Sequence, residues 1–150
     1  MSVEHQYEVT VEWKADRKGM MSAPDISTKI EVATPPQFPK GMENIWSPEH
    51  LFVAAINSCL MTTFLAIAEN SKLAYAGFSS KASGKLEMVE GKYMLTEVTL
   101  MPVVTIENEQ DKERATRILE KSEAACLISN YVKSKIILKT EVVIASIAKS

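Results

Sequence analysis

The chain has 150 residues, the length of one ordinary domain, so we expect a single domain over residues 1–150 with one catalytic or binding site. Hydrophobic residues make up 46% of the chain and charged residues 24%, which excludes disordered, collagen-like and coiled-coil proteins. Because the net charge is -2 and no long basic run is present, we expect no nucleic-acid partner.

The N-terminal third has the pattern of a three-stranded antiparallel meander. The segment 7–13 alternates apolar and polar residues without a fault, which predicts a first strand with one buried face. The charged segment 14–19 predicts a turn that exposes Arg17 and returns the chain to a second strand near 20–23. A third strand is predicted over residues 28–33.

A proline-rich loop over residues 34–41 leads to a long apolar helix. Ser47 supplies an N-cap oxygen and Pro48 suits the first helical position, so the helix should begin there. Residues 51–68 are apolar on nearly every side, which predicts a helix buried on all sides. A membrane span is the alternative, but a span needs about 20 apolar residues and this segment is short and carries several polar groups. We therefore expect no membrane association.

The C-terminal half contains a predicted hairpin, a second helix and a last strand. The hairpin strands cover residues 78–88 and 93–106, with Pro102 expected at an edge or a bulge. Acidic residues precede the second helix, whose apolar stripe turns Cys126 inward, and a final strand is predicted over residues 136–147. The order of three strands, helix, two strands, helix and strand predicts an α+β fold.

Two cysteines, Cys59 and Cys126, are the candidate reactive groups. A buried cysteine is often only a small core residue, and that interpretation stays open for both. The polar residues around Cys59 favour a functional role, because a helix that only packs would avoid them: Asn57, Ser58, Thr62 and Thr63. The two histidines have no metal-ligand spacing, so we expect neither a metal nor a cofactor. The polar N-terminus lacks a secretory segment, which predicts a cytoplasmic protein.

A reactive thiol needs a source of positive potential, because the thiolate is the nucleophile. Cys59 lies twelve residues beyond the predicted cap at Ser47, too far for the helix dipole, so a side-chain cation is required. Two of the three arginines lie at the start of the second helix, which leaves Arg17. The alternative is that Arg17 is a solvated charge and Glu49 a carboxylate that the helix dipole favours.

Two motifs then suggest a family. The segment 47–51, SPEHL, leads into NSC at 57–59, and ACLISN follows at 125–130. The chain resembles the OsmC/Ohr family of thiol-dependent peroxidases over essentially its whole length. Leu127 departs from the pattern, because many relatives carry proline there.

The resemblance implies that Cys59 is the peroxidatic nucleophile and Cys126 the resolving cysteine, with Arg17 as the cation and Glu49 as the carboxylate that holds it. It also implies an intertwined homodimer with the cysteine-bearing helices at its centre. The substrate would be an organic hydroperoxide, reduced to an alcohol, and an external dithiol would reset the enzyme. A non-catalytic small-molecule-binding dimer and a thiol redox sensor are the alternatives.

The spacing of Glu49 and Cys59 bears on how such a site is assembled. Ten residues of straight helix separate them by about 15 Å, too far for both to touch one guanidinium within a chain. Either the helix breaks early or a second subunit supplies Glu49 and Arg17, and we favour the second subunit.

Overall fold

The structure, a computed structural model, describes residues 3–145 of an α+β fold with two sheets. The chain divides into two compact units, one ending at Phe52 and the other beginning at Val53. The order of elements follows the prediction, except that the last predicted strand is divided into two.

The N-terminal unit carries a three-stranded antiparallel meander, as predicted. It consists of β1 (Thr10–Ala15), β2 (Lys18–Ala23) and β3 (Ile26–Ala33), in the order β1-β2-β3. The predicted buried face of the first strand is wrong for the single chain, because every residue of β1 is exposed and Trp13 is 76% exposed. The alternating pattern does give this strand an apolar face, but nothing in the described part of the unit covers it.

The helix α1 (Pro48–Asn70) begins where the sequence predicts, because Ser47 caps it. The Ser47 hydroxyl accepts a hydrogen bond from the His50 backbone N–H at 3.1 Å, and His50 Nδ1 accepts one from the Ser47 backbone N–H at 3.1 Å. This is the reciprocal arrangement of a capping box, with histidine in the place of glutamate. Ser47 is fully buried, so the cap is shielded from water.

Burial of α1 within the chain is confined to one stripe rather than extending all round. The buried residues recur every four positions, which places them on one face of the helix: Ile56, Leu60, Phe64 and Ala68. By length and composition alone α1 could cross a membrane, a test that core helices of soluble proteins also pass. Its apolar residues outside the stripe are available to contact another surface.

The C-terminal unit is built on a long hairpin of β4 (Gly77–Val89) and β5 (Lys92–Ile106). After α2 (Lys112–Ala125), the short strands β6 (Lys135–Leu138) and β7 (Glu141–Ile144) both pair in parallel with β5. These two strands replace the single strand predicted over 136–147, of which residues 146–147 lie outside the described residues.

Pro102 lies in the central strand β5 and not at an edge or a bulge, so that prediction is wrong. The carbonyls of Leu100 and Ile106 accept bonds from Lys139 and Ala145, so the even-numbered backbone groups of this part of β5 face β6 and β7. Pro102 lies between the segments that pair with β6 and with β7. The N–H that proline lacks is therefore at the point where β5 changes its partner from β6 to β7. No hydrogen bond between strands is lost there, so the sheet tolerates proline.

The core of the C-terminal unit joins both helices to the sheet. The predicted inward stripe of α2 is confirmed, because its apolar members belong to one buried cluster with residues of α1, the connection after α1, β5 and β7: Phe64, Ala68, Leu73, Val104, Ile106, Ala115, Ile118, Leu119 and Val142. This cluster fixes the C-terminal half of α1 against α2 and β5.

Candidate active site

Cys59 lies in the middle of α1, and the polar residues that the sequence singled out adjoin it along the chain. Its side chain is half-buried, and its Sγ lies 3.9 Å from the hydroxyl oxygen of Thr63 one turn later. Thr62 bonds instead to the Cys59 backbone carbonyl, at 3.2 Å. Of these two threonines, Thr63 is therefore the one that contacts the sulfur.

Cys126 caps the C-terminus of α2. Its backbone turns from helical to extended, with φ -64° and ψ 119°, and its N–H still bonds to the Glu123 carbonyl at 3.2 Å. Its own carbonyl accepts bonds from the Ser129 hydroxyl at 3.4 Å and the Asn130 N–H at 3.3 Å. Only 1% of Cys126 is exposed, so the predicted inward orientation is confirmed.

The two cysteines are free thiols, and they lie close enough to shift each other's pKa. Burial raises the pKa of Cys59, but hydrogen bonds from the Cys126 thiol, the Ile128 backbone, the Thr63 hydroxyl and the Leu127 backbone together bring this pKa below its ordinary value. Burial and the hydrogen bond with Cys59 raise the pKa of Cys126. Of the two thiols, Cys59 is therefore the one that ionises more readily.

The groups that lower the pKa of Cys59 are neutral donors, whereas the sequence argument required a side-chain cation. Two of them are the backbone N–H groups of Leu127 and Ile128, which sequence reasoning missed. Backbone donors leave no residue-type signal, and only the turn after α2 brings them to the sulfur. The motif at 125–130 did mark the correct segment.

Arg17 and Glu49 line a pocket of about 710 Å³ in the N-terminal unit. Arg17 occupies the turn between β1 and β2 and is exposed, as predicted. The pocket wall is otherwise largely apolar and includes Trp13 and Phe38. Glu49 Oε1 is buried and makes no hydrogen bond within residues 3–145. A buried carboxylate oxygen without a donor is costly, so this pocket is suited to a cationic or hydrogen-bonding partner.

The structure thus joins Cys59 with Cys126 in one unit, and Arg17 with Glu49 around one pocket of the other. Within residues 3–145 no group of three His, Cys, Asp or Glu side chains is arranged to hold a metal ion.

The chain matches one family model and is similar in fold to several solved structures. The model of the OsmC-like protein family matches residues 41–141. The chain is similar to an OsmC-like protein of unknown function from Vibrio cholerae, with a TM-score of 0.81 and 23% identity over 91% of this chain and 99% of that one. An organic hydroperoxide resistance protein from Elizabethkingia anophelis gives a TM-score of 0.76 and 22% identity over 97% and 100%. The uncharacterized protein YmaD of Bacillus subtilis is 20% identical over 143 residues, 92% of this chain and 93% of that one.

Proposed function

We propose, since this chain belongs to the OsmC-like protein family, that it is a thiol-dependent peroxidase reducing organic hydroperoxides to alcohols. The observation that carries the proposal is the pairing of Cys59 with Cys126, which lie close enough to shift each other's pKa in opposite directions. A nucleophile that ionises readily beside a thiol that stays protonated is what a two-cysteine peroxidase needs. The likeness to organic hydroperoxide resistance proteins supports the substrate class.

In the first step the Cys59 thiolate attacks the terminal oxygen of the hydroperoxide. An S–O bond forms and the O–O bond breaks, so the peroxide is reduced and the sulfur is oxidised to a sulfenic acid. The leaving alkoxide takes up a proton and departs as the alcohol.

In the second step the Cys126 sulfur attacks the Cys59 sulfenic acid. A disulfide forms, the S–O bond breaks, and the thiol proton leaves with the hydroxyl as water. An external dithiol then reduces the disulfide by exchange and is itself oxidised, which restores both thiols. We place this cycle in the cytoplasm, where thiols are kept reduced.

Ionisation of Cys59 is only part of the rate that such an enzyme needs. At pH 7 an ordinary thiol is about 3% ionised, so full ionisation gains about 30-fold, or about 2 kcal/mol. We assign the remainder to Arg17, which orients the peroxide and stabilises charge on its oxygens, while Glu49 pairs with the guanidinium. The pocket that both residues line, and the unpartnered Glu49 oxygen, support this assignment.

The uncovered apolar surfaces support a homodimer that completes the site. Val11 and Trp13 of β1 are 63% and 76% exposed, and α1 is buried along one stripe only. The helix is also unbroken through residues 49 and 59, so of the two alternatives for assembling the site, supply of Arg17 and Glu49 by a second subunit is the one we propose.

Turnover of tert-butyl hydroperoxide with dithiothreitol tests the proposal. The native chain should consume peroxide continuously, and Cys59→Ser should consume none. When dithiothreitol is left out, Cys126→Ser should stop after one equivalent of peroxide with a trapped sulfenic acid. Ser58→Ala is the matched control, because Ser58 adjoins Cys59 and, among residues 3–145, its hydroxyl bonds only to the Ala55 carbonyl of its own helix. Peroxide consumption by Cys59→Ser at the native rate would exclude the mechanism.

A further inference from the structure

Asn57 and Ser80 form a reciprocal pair of hydrogen bonds between α1 and β4. The Asn57 amide nitrogen donates to the Ser80 backbone carbonyl at 2.9 Å, and the Ser80 hydroxyl donates to the Asn57 amide oxygen at 2.6 Å. Both side chains are half-buried. The amide nitrogen faces an acceptor and the amide oxygen faces a donor, so only one orientation of Asn57 makes both bonds.

The carbonyl that Asn57 binds lies on the outer edge of β4. Ser80 pairs with Pro102, and even-numbered groups of that part of β5 face away from β4, so the backbone of Ser80 also faces away from β5. In the described sheet β4 is an edge strand, and no strand pairs with this side of it. Asn57 therefore supplies the donor that a neighbouring strand would otherwise supply.

This pair helps to hold the part of α1 that carries Cys59, together with buried apolar residues of the same helix. The apolar cluster of the C-terminal unit begins at Phe64 and fixes the later turns of the helix. One turn before Asn57, Val53 approaches Gly84 so closely that a Cβ on the glycine would lie 2.6 Å from a Val53 methyl carbon. Packing at Val53 limits how close the helix comes to β4, whereas the directional bonds at Asn57 limit its rotation and sliding.

Cys126 is held by different contacts, at the end of α2 and by Ser129. The alignment of the two sulfurs therefore depends on the position of α1 relative to the sheet. Cys59 lies only two residues beyond Asn57 on the same helix. Any rotation or sliding that the Asn57–Ser80 bonds prevent would move the Cys59 sulfur away from Cys126.

We propose that Asn57 is a positioning residue that, through Ser80, holds the Cys59 sulfur in line with Cys126 for disulfide closure. The importance of Asn57 for catalysis rests on the proposed peroxidase function, but its role in aligning the two sulfurs does not. Because misplacement by about 1 Å can cost a reaction about 100-fold, a partial release of the helix should cost about tenfold.

The test measures the effective concentration of the two thiols from their equilibrium with reduced and oxidised dithiothreitol. In this exchange the protein disulfide forms, oxidised dithiothreitol is reduced, and no peroxide takes part. Asn57→Ala should lower the effective concentration about tenfold and Ser80→Ala should lower it less, since only one bond is lost. Ser80→Thr, which keeps the hydroxyl, should retain the native value, as should the control Ser58→Ala.

The variants also separate alignment from general stability. Asn57→Ala and the double variant with Ser80→Ala should give equal values, because the two residues act through one pair of bonds. If Asn57→Ala does not fold, the contrast between Ser80→Ala and Ser80→Thr tests the same bond. A native effective concentration in both alanine variants would overturn the proposal, whereas lost peroxidase activity with a normal thiol equilibrium would overturn only the proposed function.

Discussion

Cys59 in the middle of α1 and Cys126 at the end of α2 shift each other's pKa in opposite directions, because a hydrogen bond from the Cys126 thiol lowers the pKa of Cys59 and raises that of Cys126. One bond thus contributes to both shifts, because a thiol that donates to a neighbouring thiolate stabilises the charge there and keeps its own proton. The pair is therefore arranged with one defined nucleophile.

Removal of the Cys126 donor should raise the pKa of Cys59. Cys126→Ala removes the hydrogen bond, whereas Cys126→Ser keeps a hydroxyl that can donate, so the alanine variant should show the larger rise. The pKa of Cys59 in each variant is measured from its thiolate absorbance as a function of pH. An unchanged titration midpoint in Cys126→Ala would show that the second thiol does not stabilise the first.

At neutral pH, alkylation should modify Cys59 before Cys126. A lowered pKa gives Cys59 a larger thiolate fraction than an ordinary thiol, and a raised pKa leaves Cys126 protonated until higher pH. Cys126 is also almost completely buried. Mass spectrometry of peptides after brief iodoacetamide treatment measures the order. Modification of Cys126 first would contradict the assignment of the nucleophile.

Removing Arg17 should slow peroxide reduction much more than it slows alkylation of Cys59. Neutral donors lower the pKa of Cys59, so Arg17→Ala should leave its alkylation rate at pH 7 nearly native. Loss of charge stabilisation at the peroxide should lower kcat/KM about 100-fold. Equal losses in the two rates would instead show that Arg17 acts by ionising the thiol.

Gly84→Ala should destabilise the chain by about 1–3 kcal/mol, since the new methyl group meets Val53. Gly77→Ala in the same strand is the control, because its Cβ would find only Thr105, at 3.6 Å. Urea denaturation measures both variants. Val53→Ala should recover part of the loss in Gly84→Ala, and equal stabilities of the two glycine variants would refute the close approach of α1 to β4.

The N-cap of α1 should contribute measurably to stability. Ser47→Ala loses the oxygen that accepts the His50 N–H and should cost about 1 kcal/mol of unfolding free energy. Ser58→Ala, which removes an exposed hydroxyl from the same helix, should cost less than about 0.5 kcal/mol. Denaturation midpoints that do not differ between these variants would contradict the capping role.

Features that depend on neighbouring residues in the chain were predicted well from the sequence. Features that depend on distant residues, such as burial and strand partners, were not. Ser47 and Pro48 predicted the start of α1 correctly because capping involves neighbours in the chain. The apolar pattern of β1 was read as a buried face, but a pattern does not say which surface covers it, and the chain itself leaves Trp13 exposed. Pro102 was misplaced because the change of partner along β5 depends on β6 and β7, far along the chain.

The candidate site was predictable to a similar extent. The sequence identified both cysteines, and in the structure they lie close enough to shift each other's pKa. It did not identify the backbone donors of Leu127 and Ile128, because every residue except proline carries an N–H and only the fold directs it. The pair of hydrogen bonds between Asn57 and Ser80 could not be predicted either, because it depends on how the side chains of α1 and β4 meet in the fold.

The most direct test of the account treats the reduced protein with one equivalent of an organic hydroperoxide per chain and maps the products. We predict the loss of two thiols per chain, one equivalent of alcohol, and a Cys59–Cys126 disulfide recovered as a linked peptide. Two intact thiols and unreacted hydroperoxide would contradict the account.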